Sequence, residues 1–329
     1  MYDIITFGSA TKDIFVKPSK IKVLKDKSFV TGKGICFNLG SKVDIDEMVL
    51  TSGGGGTNTA ATFANQGFQT AYCGAVGDDL AGQEIIDELK SFNINTGLII
   101  KSKEKITNHS IVISGANDDR TILVYRGASE ELKKENIPWD NLSAKWFFIS
   151  PLSGQLREVF EDLIDFAIKN GIKVALNPGN CQLSLPADVL KRILGKVDIL
   201  ILNQEEASLL TKIPYLKEKQ IFKKIDEFCP GIVIMTKGEK GAVISDGKYL
   251  YRAASQKSKV ADKTGAGDSL GAGFVSGFLQ SNGDIVFATQ LGTANATACL
   301  KEIGAKSGLL KKGDNFYKVD VKKEECKTK

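Results

Sequence analysis

The second half of the chain alternates short apolar runs with amphipathic segments, and this alternation restricts the fold more than any other feature of the sequence. The apolar runs lie at residues 146–149 (WFFI), 172–176 (IKVAL), 198–202 (DILIL) and 231–235 (GIVIM). Helical patterns separate them at residues 154–170, at 187–194 and from about Gln204. Apolar strands alternating with amphipathic helices predict an α/β fold, with a mainly parallel sheet that carries helices on both faces.

A polar residue follows each of these apolar runs. In parallel sheets of this kind, ligands bind beyond the carboxyl ends of the strands. We therefore expect a ligand site lined by the residues at those ends, namely Ser150, Asn177, Asn203 and Thr236.

Two other stretches of the chain have a different texture. Residues from about 13 to 51 and from about 96 to 125 contain short alternating or β-branched runs without a helical period. Two helical segments, at 58–66 and 82–91, lie between them. The two stretches therefore predict strands that stand apart from the alternating half of the chain.

The motif with the clearest chemistry is DKTGAGDSLGAGF at residues 262–274. Its first two glycines permit a turn whose backbone amides point one way, and the following helix adds its positive N-terminal end. Such a turn binds an anion, and Asp268 beside it suits a base that takes a proton from an attacking hydroxyl. The alternative is a helix cap at Asp268, with glycines that only allow close helix packing at Gly271, Gly273 and Gly277.

This motif resembles the C-terminal signature of the ribokinase/PfkB family of carbohydrate kinases, and GGGGTN at residues 53–58 resembles the family's N-terminal glycine motif. Further elements match in the same order, at residues 8–13, 74–82, 203–206, 236–241 and 304–305. Several motifs in one order are far more specific than any one of them. The chain is thus identified as a member of the family across nearly its whole length.

The resemblance implies a ribokinase-like α/β fold, with a central sheet between helices and a small β-sheet lid over the sugar site. The two strand-rich stretches fit the lid. We therefore expect a nucleotide- and substrate-binding core at residues 1–12, 52–95 and 126–317, a lid at 13–51 and 96–125, and a mobile lysine-rich tail at 318–329.

The resemblance also assigns roles to individual residues. Asp268 would be the catalytic base, beside an anion hole formed by the amides of Gly265, Ala266 and Gly267. Substrate contacts would come from Asp13, Gly54, Gly55, Asn58 and Arg126, and nucleotide contacts from Asn203, Thr236, Gly238, Gly241 and Asn295. For Asp13 and Arg126, the alternatives are an exposed acid after a strand and an exposed strand arginine.

Two metal sites are implied as well. Glu206 would act on Mg²⁺ through water, because one carboxylate is typical of a site completed by ATP phosphates. The alternative for Asn203 and Glu206 is a capping box at a helix start. Asp262 and Thr264 stand where potassium-stimulated relatives hold a monovalent cation, with Gly304 and Ala305 in its carbonyl shell, so we expect ATP and Mg²⁺ as cofactors and K⁺ as an optional one.

One departure concerns the substrate. Ribokinase itself places a glutamate against its sugar at the end of the strand equivalent to WFFI, whereas this chain continues with Ser150 and Pro151. Ribose is therefore in doubt, and we expect phosphotransfer to an alcohol group of some small carbohydrate. The alternatives are an adenosine-type nucleoside kinase and a catalytically silent sugar- or nucleotide-binding module.

Composition and missing motifs exclude other classes. The chain has one histidine, His109, and it lacks both a P-loop and a G-x-G-x-x-G motif after its first strand. Its six cysteines are scattered without a zinc or disulfide pattern, and we see no membrane-spanning or signal segment. We therefore expect a cytoplasmic enzyme that does not bind membranes.

The formal net charge of +5 does not indicate a nucleic-acid partner. Residues from Lys306 onward contain eight lysines and four acidic residues, so the rest of the chain is nearly neutral. Small-molecule sugar and ATP are the expected partners, and the open edge of the lid sheet leaves room for a homodimer.

Overall fold

The computed structural model describes residues 1–29, 32–115, 120–152, 154 and 158–326 of the 329-residue chain. Residues 155–157 of the helix predicted at 154–170, residues 116–119 of the predicted lid and residues 327–329 of the predicted tail lie outside the described residues.

The first half of the described chain is rich in strands. They are β1 (Tyr2–Phe7), β2 (Thr11–Pro18), β3 (Lys22–Lys25), β4 (Lys33–Cys36), β5 (Ile45–Gly53), β6 (Thr70–Gly77), β7 (Ile99–Ser102), β8 (Asn108–Ser114) and β9 (Arg120–Tyr125). The second half adds β10 (Ala144–Ile149), β11 (Lys173–Leu176), β12 (Ile199–Asn203), β13 (Ile232–Thr236), β14 (Ala242–Ser245), β15 (Tyr249–Ala253) and β16 (Val321–Glu325).

Helices connect most strands of the second half. In chain order they are α1 (Gly55–Asn65), α2 (Leu80–Ser91), α3 (Phe160–Lys169), α4 (Asn180–Leu183), α5 (Ala187–Leu194), α6 (Gln204–Thr211), α7 (Glu218–Asp226), α8 (Ala266–Gln280) and α9 (Ile285–Cys299). In the part of the chain that the structure describes, none of them is long and apolar enough to cross a membrane.

The large sheet has the strand order β16-β15-β14-β13-β12-β11-β10-β1-β6-β7. The strands from β13 to β7 are parallel, and β14, β15 and β16 extend the sheet in antiparallel fashion. The α/β fold with a mainly parallel sheet is therefore confirmed.

Successive strand residues point to opposite faces of this sheet, and both faces are covered. On β10, Phe147 packs in a core with α3, α5 and α7, whereas its neighbour Phe148 packs in a second core with α1, α8 and α9. The same alternation holds along β11 and β12. Strands that are buried on both sides must be apolar throughout, which explains the continuous apolar runs of the sequence.

A separate four-stranded sheet with the order β5-β2-β8-β9 corresponds to the predicted lid. β2 pairs in parallel with β8, and the other two pairs are antiparallel. Strands β3 and β4 form a hairpin of their own. Because β5 ends at Gly53 and α1 begins at Gly55, this sheet, called the lid sheet below, leads directly into the core through the first glycine motif.

Two predicted segments lie elsewhere than expected. Strand β7, expected in the lid, pairs in parallel with β6 in the large sheet. Strand β16, expected in a mobile tail, pairs with β15 over five residues. For β7, local composition indicated the strand but not the sheet that it joins. For β16, the lysines indicated a solvated segment, whereas an edge strand can pair its backbone while its lysine side chains reach water.

Two glycines of α8 serve helix packing. A Cβ at Gly277 of α8 would approach Ala288 Cα to 2.8 Å, and one at Gly273 would approach Gly292 Cα to 3.0 Å. Both contacts are with α9, so these two glycines allow α8 and α9 to pack closely. For them, the packing interpretation of the sequence is confirmed.

Candidate active site

The turn at Gly265–Gly267 leaves backbone amides free at the start of α8. Gly265 precedes the helix in a left-handed conformation, with φ of 76°, and a Cβ there would overlap Ala305. A Cβ at Gly267 would meet nothing within 4 Å. The first amides of a helix have no partner inside it, so this turn presents donors to an open space that suits an anion.

Asp268 lies in the first turn of α8 and faces Asn58 of α1. Asn58 Nδ2 donates to Asp268 Oδ2 at 2.8 Å. Burial raises the pKa of Asp268, although the Asn58 hydrogen bond and the positive charge of Lys306 oppose that shift. The residue at the cap position is Gly265, not Asp268, so the helix-cap alternative for Asp268 is wrong.

The first glycine motif brings other polar groups up to Asp268. A Cβ at Gly53 would overlap the carboxylate of Asp13. A Cβ at Gly55 would lie 2.9 Å from Ser150 Cβ and 3.6 Å from Asp268 Oδ1. The missing side chains therefore allow Asp13 of β2, Ser150 just after β10 and Asp268 of α8 to converge beside one turn of backbone.

Three buried polar side chains line this convergence. Asp13 accepts a hydrogen bond from Ser110 Oγ, and burial raises the pKa of its carboxyl. It is only 5% exposed, so the exposed-acid alternative is wrong. Asn58 Oδ1 and Ser150 Oγ are buried without a hydrogen-bond partner among the described residues. Unpartnered buried polar atoms are costly, and a polar ligand would satisfy them.

Lys306 is a member of this site that sequence reasoning missed. Its ammonium group is buried and contacts Ser52 Oγ and Glu88 Oε2, the latter at 3.1 Å. Burial lowers the pKa of Lys306, while Glu88, Asp13 and Asp268 oppose that shift electrostatically. The one signal in the sequence is a lysine inside the small-residue and apolar run GAKSGLL at residues 304–310.

A cavity of about 850 Å³ borders the turn at Ala266 and Gly267. Predicted nucleotide and anion-hole residues share its lining: Thr236, Gly238, Gly241, Ala266 and Gly267. Lys257, Lys263 and Thr293 also line it and were missed, and Thr293 Oγ1 is buried without a partner in the described part of the chain. This cavity, called the nucleotide cleft below, has the size and polarity of a cofactor site.

Asn295, predicted to contact the nucleotide, does not line the cleft. It is fully buried, its Nδ2 donates to Ser269 O at 2.9 Å, and its Oδ1 accepts from Leu310 N at 2.9 Å. Its polarity serves the packing of α9, so this prediction was wrong.

Asn203 and Glu206 form the capping box that was the alternative for them. Asn203 Oδ1 accepts from Glu206 N at 2.8 Å, and Glu206 Oε2 accepts from Asn203 N at 2.8 Å. Burial raises the pKa of Glu206. One of its oxygens remains outside the box, which fits a second role toward a water-coordinated cation. Within the described residues, no three acidic, cysteine or histidine side chains form a metal-binding group.

Two arginines at or beside the lid make no hydrogen bond to the polar side chains of the substrate region described above. Arg126 is exposed, without a hydrogen bond or ion pair to the described residues, and its substrate role stays a prediction. Arg120 Nη1 donates to Asp262 Oδ1 at 2.7 Å and to Thr264 Oγ1 at 2.8 Å. The two residues predicted to hold a monovalent cation thus already hold a guanidinium group, and they do not fit a second cation.

Comparison with known proteins decides the family. The model of the pfkB family carbohydrate kinases matches residues 32–312. This chain belongs to that family. The ribokinase of Staphylococcus aureus is 26% identical over 276 residues, which cover 82% of this chain and 89% of that protein.

Solved structures share the fold of this pfkB family member. Arabidopsis thaliana ribokinase, solved with ribose and ATP, has a TM-score of 0.78 at 21% identity, covering 94% of this chain and 96% of the other. Methanocaldococcus jannaschii nucleoside kinase has a TM-score of 0.75 at 22% identity, covering 94% and 95%. The predicted ribokinase-like fold is confirmed.

Membership also confirms the predicted enzyme class. The activity of this family is phosphorylation of a carbohydrate by a kinase that uses ATP. This pfkB family kinase is therefore a phosphotransferase that acts on sugars.

Proposed function

We propose that this kinase transfers the γ-phosphoryl group of ATP to a hydroxyl of a small polyhydroxylated molecule, with Asp268 as the catalytic base. The observation that carries the proposal is the position of Asp268, at the end of an open turn of amides that borders the nucleotide cleft. On its other side lie Asp13, Asn58 and Ser150. A base between an anion site and a cluster of hydrogen-bonding groups suits proton transfer from a bound alcohol.

In this mechanism the substrate hydroxyl lies against Asp268. The carboxylate accepts the hydroxyl proton while the oxygen attacks the γ-phosphorus in line, and the bond to the leaving ADP oxygen breaks. The amides of Gly265, Ala266 and Gly267 stabilise the negative charge on the phosphoryl oxygens. Asn58 orients the carboxylate through its 2.8 Å hydrogen bond. The lid sheet excludes water, which limits hydrolysis of ATP.

Hydrogen bonds select the substrate. The backbone at Gly54 and Gly55, the carboxylate of Asp13 and the unpartnered oxygens of Asn58 and Ser150 suit a polyol, because each hydroxyl can both donate and accept. The Arabidopsis relative was solved with ribose and ATP. Because Ser150 replaces a glutamate, we keep sugars, sugar acids and nucleosides as the substrate class.

Magnesium would enter with the ATP phosphates. Glu206 would hold it through a water molecule, since one carboxylate oxygen is spent in the capping box. The ion supplies positive charge that offsets the phosphate charge. Asn203 positions Glu206 by completing the same box.

We further propose a homodimer through the lid sheet. Its two outer strands carry exposed apolar side chains, which include Leu50 at 54%, Leu123 at 53% and Val124 at 57% exposure. A sheet with apolar residues exposed on both outer strands gains stability when a second copy covers it. Sedimentation equilibrium should give twice the chain mass, and Leu123→Lys should shift it toward the monomer.

We propose the cytoplasm as the compartment of the enzyme. Its six cysteines are all free, three of them buried. Free thiols are typical of a reducing compartment.

The test is an ADP-release screen across sugars, sugar acids, sugar phosphates and nucleosides, with Asp268→Asn as the blank. We expect at least one acceptor to give turnover well above that blank. If no acceptor exceeds the blank while ATP and sugar still bind by calorimetry, the protein is a silent binding module and the proposal fails.

A further inference from the structure

Arg120 links the lid to the core beside the anion turn. It is the first residue of β9, the outer strand of the lid sheet, and its guanidinium reaches Asp262 and Thr264 of the core at 2.7 and 2.8 Å. Thr264 immediately precedes Gly265 of the anion turn. A lid residue therefore contacts the backbone segment that shapes the phosphate site.

Asp262 requires a positive partner. Its side chain is only 6% exposed. Thr264 N donates to Oδ1 at 3.0 Å, and Gly304 N donates to Oδ2 at 3.2 Å. These amides satisfy the hydrogen-bonding capacity of the Asp262 carboxylate, but they do not neutralise its charge. Among the described residues, Arg120 is the one cation within ion-pair distance of this carboxylate, and a buried charge is unfavourable without a counter-ion.

The surroundings of Asp262 suit a guanidinium better than a bare metal cation. An alkali ion needs several oxygens free to surround it, and with Arg120 in place two of the oxygens at this position are already engaged. Asp262 Oδ1 and Thr264 Oγ1 already face one guanidinium nitrogen. The planar, permanently charged arginine group is well matched to such a pair of oxygens.

We propose that Arg120 supplies the positive charge at Asp262 in place of potassium, so that docking of the lid completes the phosphate-binding turn. Arg120 acts as a positioning residue: it holds Asp262, and through it Thr264 and Gly304, in the arrangement that directs the Gly265–Gly267 amides. The lid and the nucleotide cleft are thereby coupled. Nucleotide binding should favour the docked lid, and the docked lid should favour nucleotide binding equally.

The test compares Arg120→Met with Lys17→Met in the full-length protein. Lys17 is a matched control, since it is a lid cation whose carboxylate partner, Glu47, also belongs to the lid. Calorimetry with a non-hydrolysable ATP analogue and thermal unfolding without nucleotide are run in KCl and in tetramethylammonium chloride at equal ionic strength.

For the wild type and Lys17→Met, we expect nucleotide affinity and the unfolding midpoint to be the same in both salts. Arg120→Met should bind the analogue about tenfold more weakly in tetramethylammonium, since a charge-assisted hydrogen bond is lost. KCl should restore much of that loss and raise the midpoint of this variant alone, because potassium can then approach Asp262. Asp262→Asn should be insensitive to potassium, and adding Arg120→Met to it should change little further.

Three results would overturn the inference: potassium-stimulated affinity in the wild type, an Arg120→Met variant that potassium does not rescue, or one indistinguishable from the wild type. If Arg120→Met fails to fold, the wild type and Asp262→Asn still decide, because both must ignore potassium. The inference rests on the proposed function only in taking the ligand of the turn as a nucleotide phosphate. Potassium effects on unfolding test it separately from turnover, on which the proposed function depends.

Discussion

Two glycine-rich turns each lead into a helix, and they differ in what surrounds them. At Gly53–Gly56 every missing side chain is closely faced by other atoms of the protein, which belong to Asp13, Ser9, Ser150 and Tyr72. At Gly265–Gly267 only the first glycine is crowded, and the space beside Gly267 is open. The same residue type thus serves tight packing in one turn and access in the other.

The difference separates two tasks of the proposed mechanism. The crowded turn brings the polar side chains of the substrate region together. Their positions depend on the absence of Cβ atoms from the glycines of that turn. The open turn offers amides to a ligand, so its glycine matters when phosphate is bound. Substitutions in the first turn should therefore disturb the folded protein itself, whereas a substitution at Gly267 should disturb only the complex with the ligand.

The largest effect is expected at the group that lies between the two turns. Asp268→Asn removes the proton acceptor but keeps the shape, so turnover should fall by about 10²–10⁴-fold, the usual contribution of a general base. Calorimetry should give nearly unchanged affinity for ATP. Near-normal turnover would show that Asp268 is not the base.

Gly55→Ala and Gly267→Ala test the comparison directly. The new methyl at position 55 would press on Ser150 Cβ at 2.9 Å, and we expect a loss of about 1–3 kcal/mol in the free energy of unfolding. The methyl at position 267 meets no protein atom, so stability should stay within about 1 kcal/mol of the wild type. The KM for ATP should rise for Gly267→Ala. Equal destabilisation by both would remove the distinction between the turns.

Lys306 lies within electrostatic reach of both Asp13 and Asp268, so it links the two turns. Its positive charge opposes the raised pKa of Asp268. Lys306→Met should raise that pKa further, and because Asp268 must be ionised to act, the acidic limb of the kcat profile should move to higher pH. The exposed Lys311→Met serves as control and should leave the profile in place. An unmoved limb in Lys306→Met would remove this lysine from the site.

Asp226 is a carboxyl group remote from both turns and serves as a reference. Its substitution is expected to have the smallest effect, which is on stability as a function of pH. Burial raises its pKa to about 6, against the hydrogen bond from Ser245 Oγ at 3.0 Å. The folded state therefore binds the proton more tightly than the unfolded state, and stability should fall as pH rises through the range up to about 6. Asp226→Asn should remove this pH dependence. Above about pH 6, its free energy of unfolding should exceed that of the wild type by roughly 1–2 kcal/mol, a figure discounted for solvent screening.

Denaturant unfolding at a series of pH values measures this effect. Turnover of Asp226→Asn should match the wild type, because the residue touches neither turn. A stability that does not change with pH in the wild type would contradict the raised pKa.

Much of the fold could be predicted because it depends on local pattern. The apolar runs that form β10 to β13 are continuous since both faces of the sheet are covered, and the order of motifs indicated the site. What failed depends on distant partners. The sequence indicates a strand at residues 99–102 but not the sheet to which it belongs. It also cannot show that Arg120 contacts Asp262, or that the side-chain amide of Asn295 is hydrogen-bonded within the protein interior.

Lys306 was missed for a similar reason. A lysine is usually exposed, and only the fold shows that its ammonium group is buried against Glu88. Conversely, Asp13 and Asn58 were found because the motifs at residues 8–13 and 53–58 resemble those of the family, and Asn58 does lie against Asp268.

The lysines of β16 affect how this protein meets other protein chains, because they lie on an outer strand of the large sheet. This strand closes one side of the ten-stranded sheet, and Lys323 lies over the ring of Tyr249 at 3.9 Å from its centroid. An uncovered outer strand is a template on which strands of other chains can assemble. The charged side chains along β16 would have to give up water to a pairing strand, which disfavours assembly of another sheet on this edge.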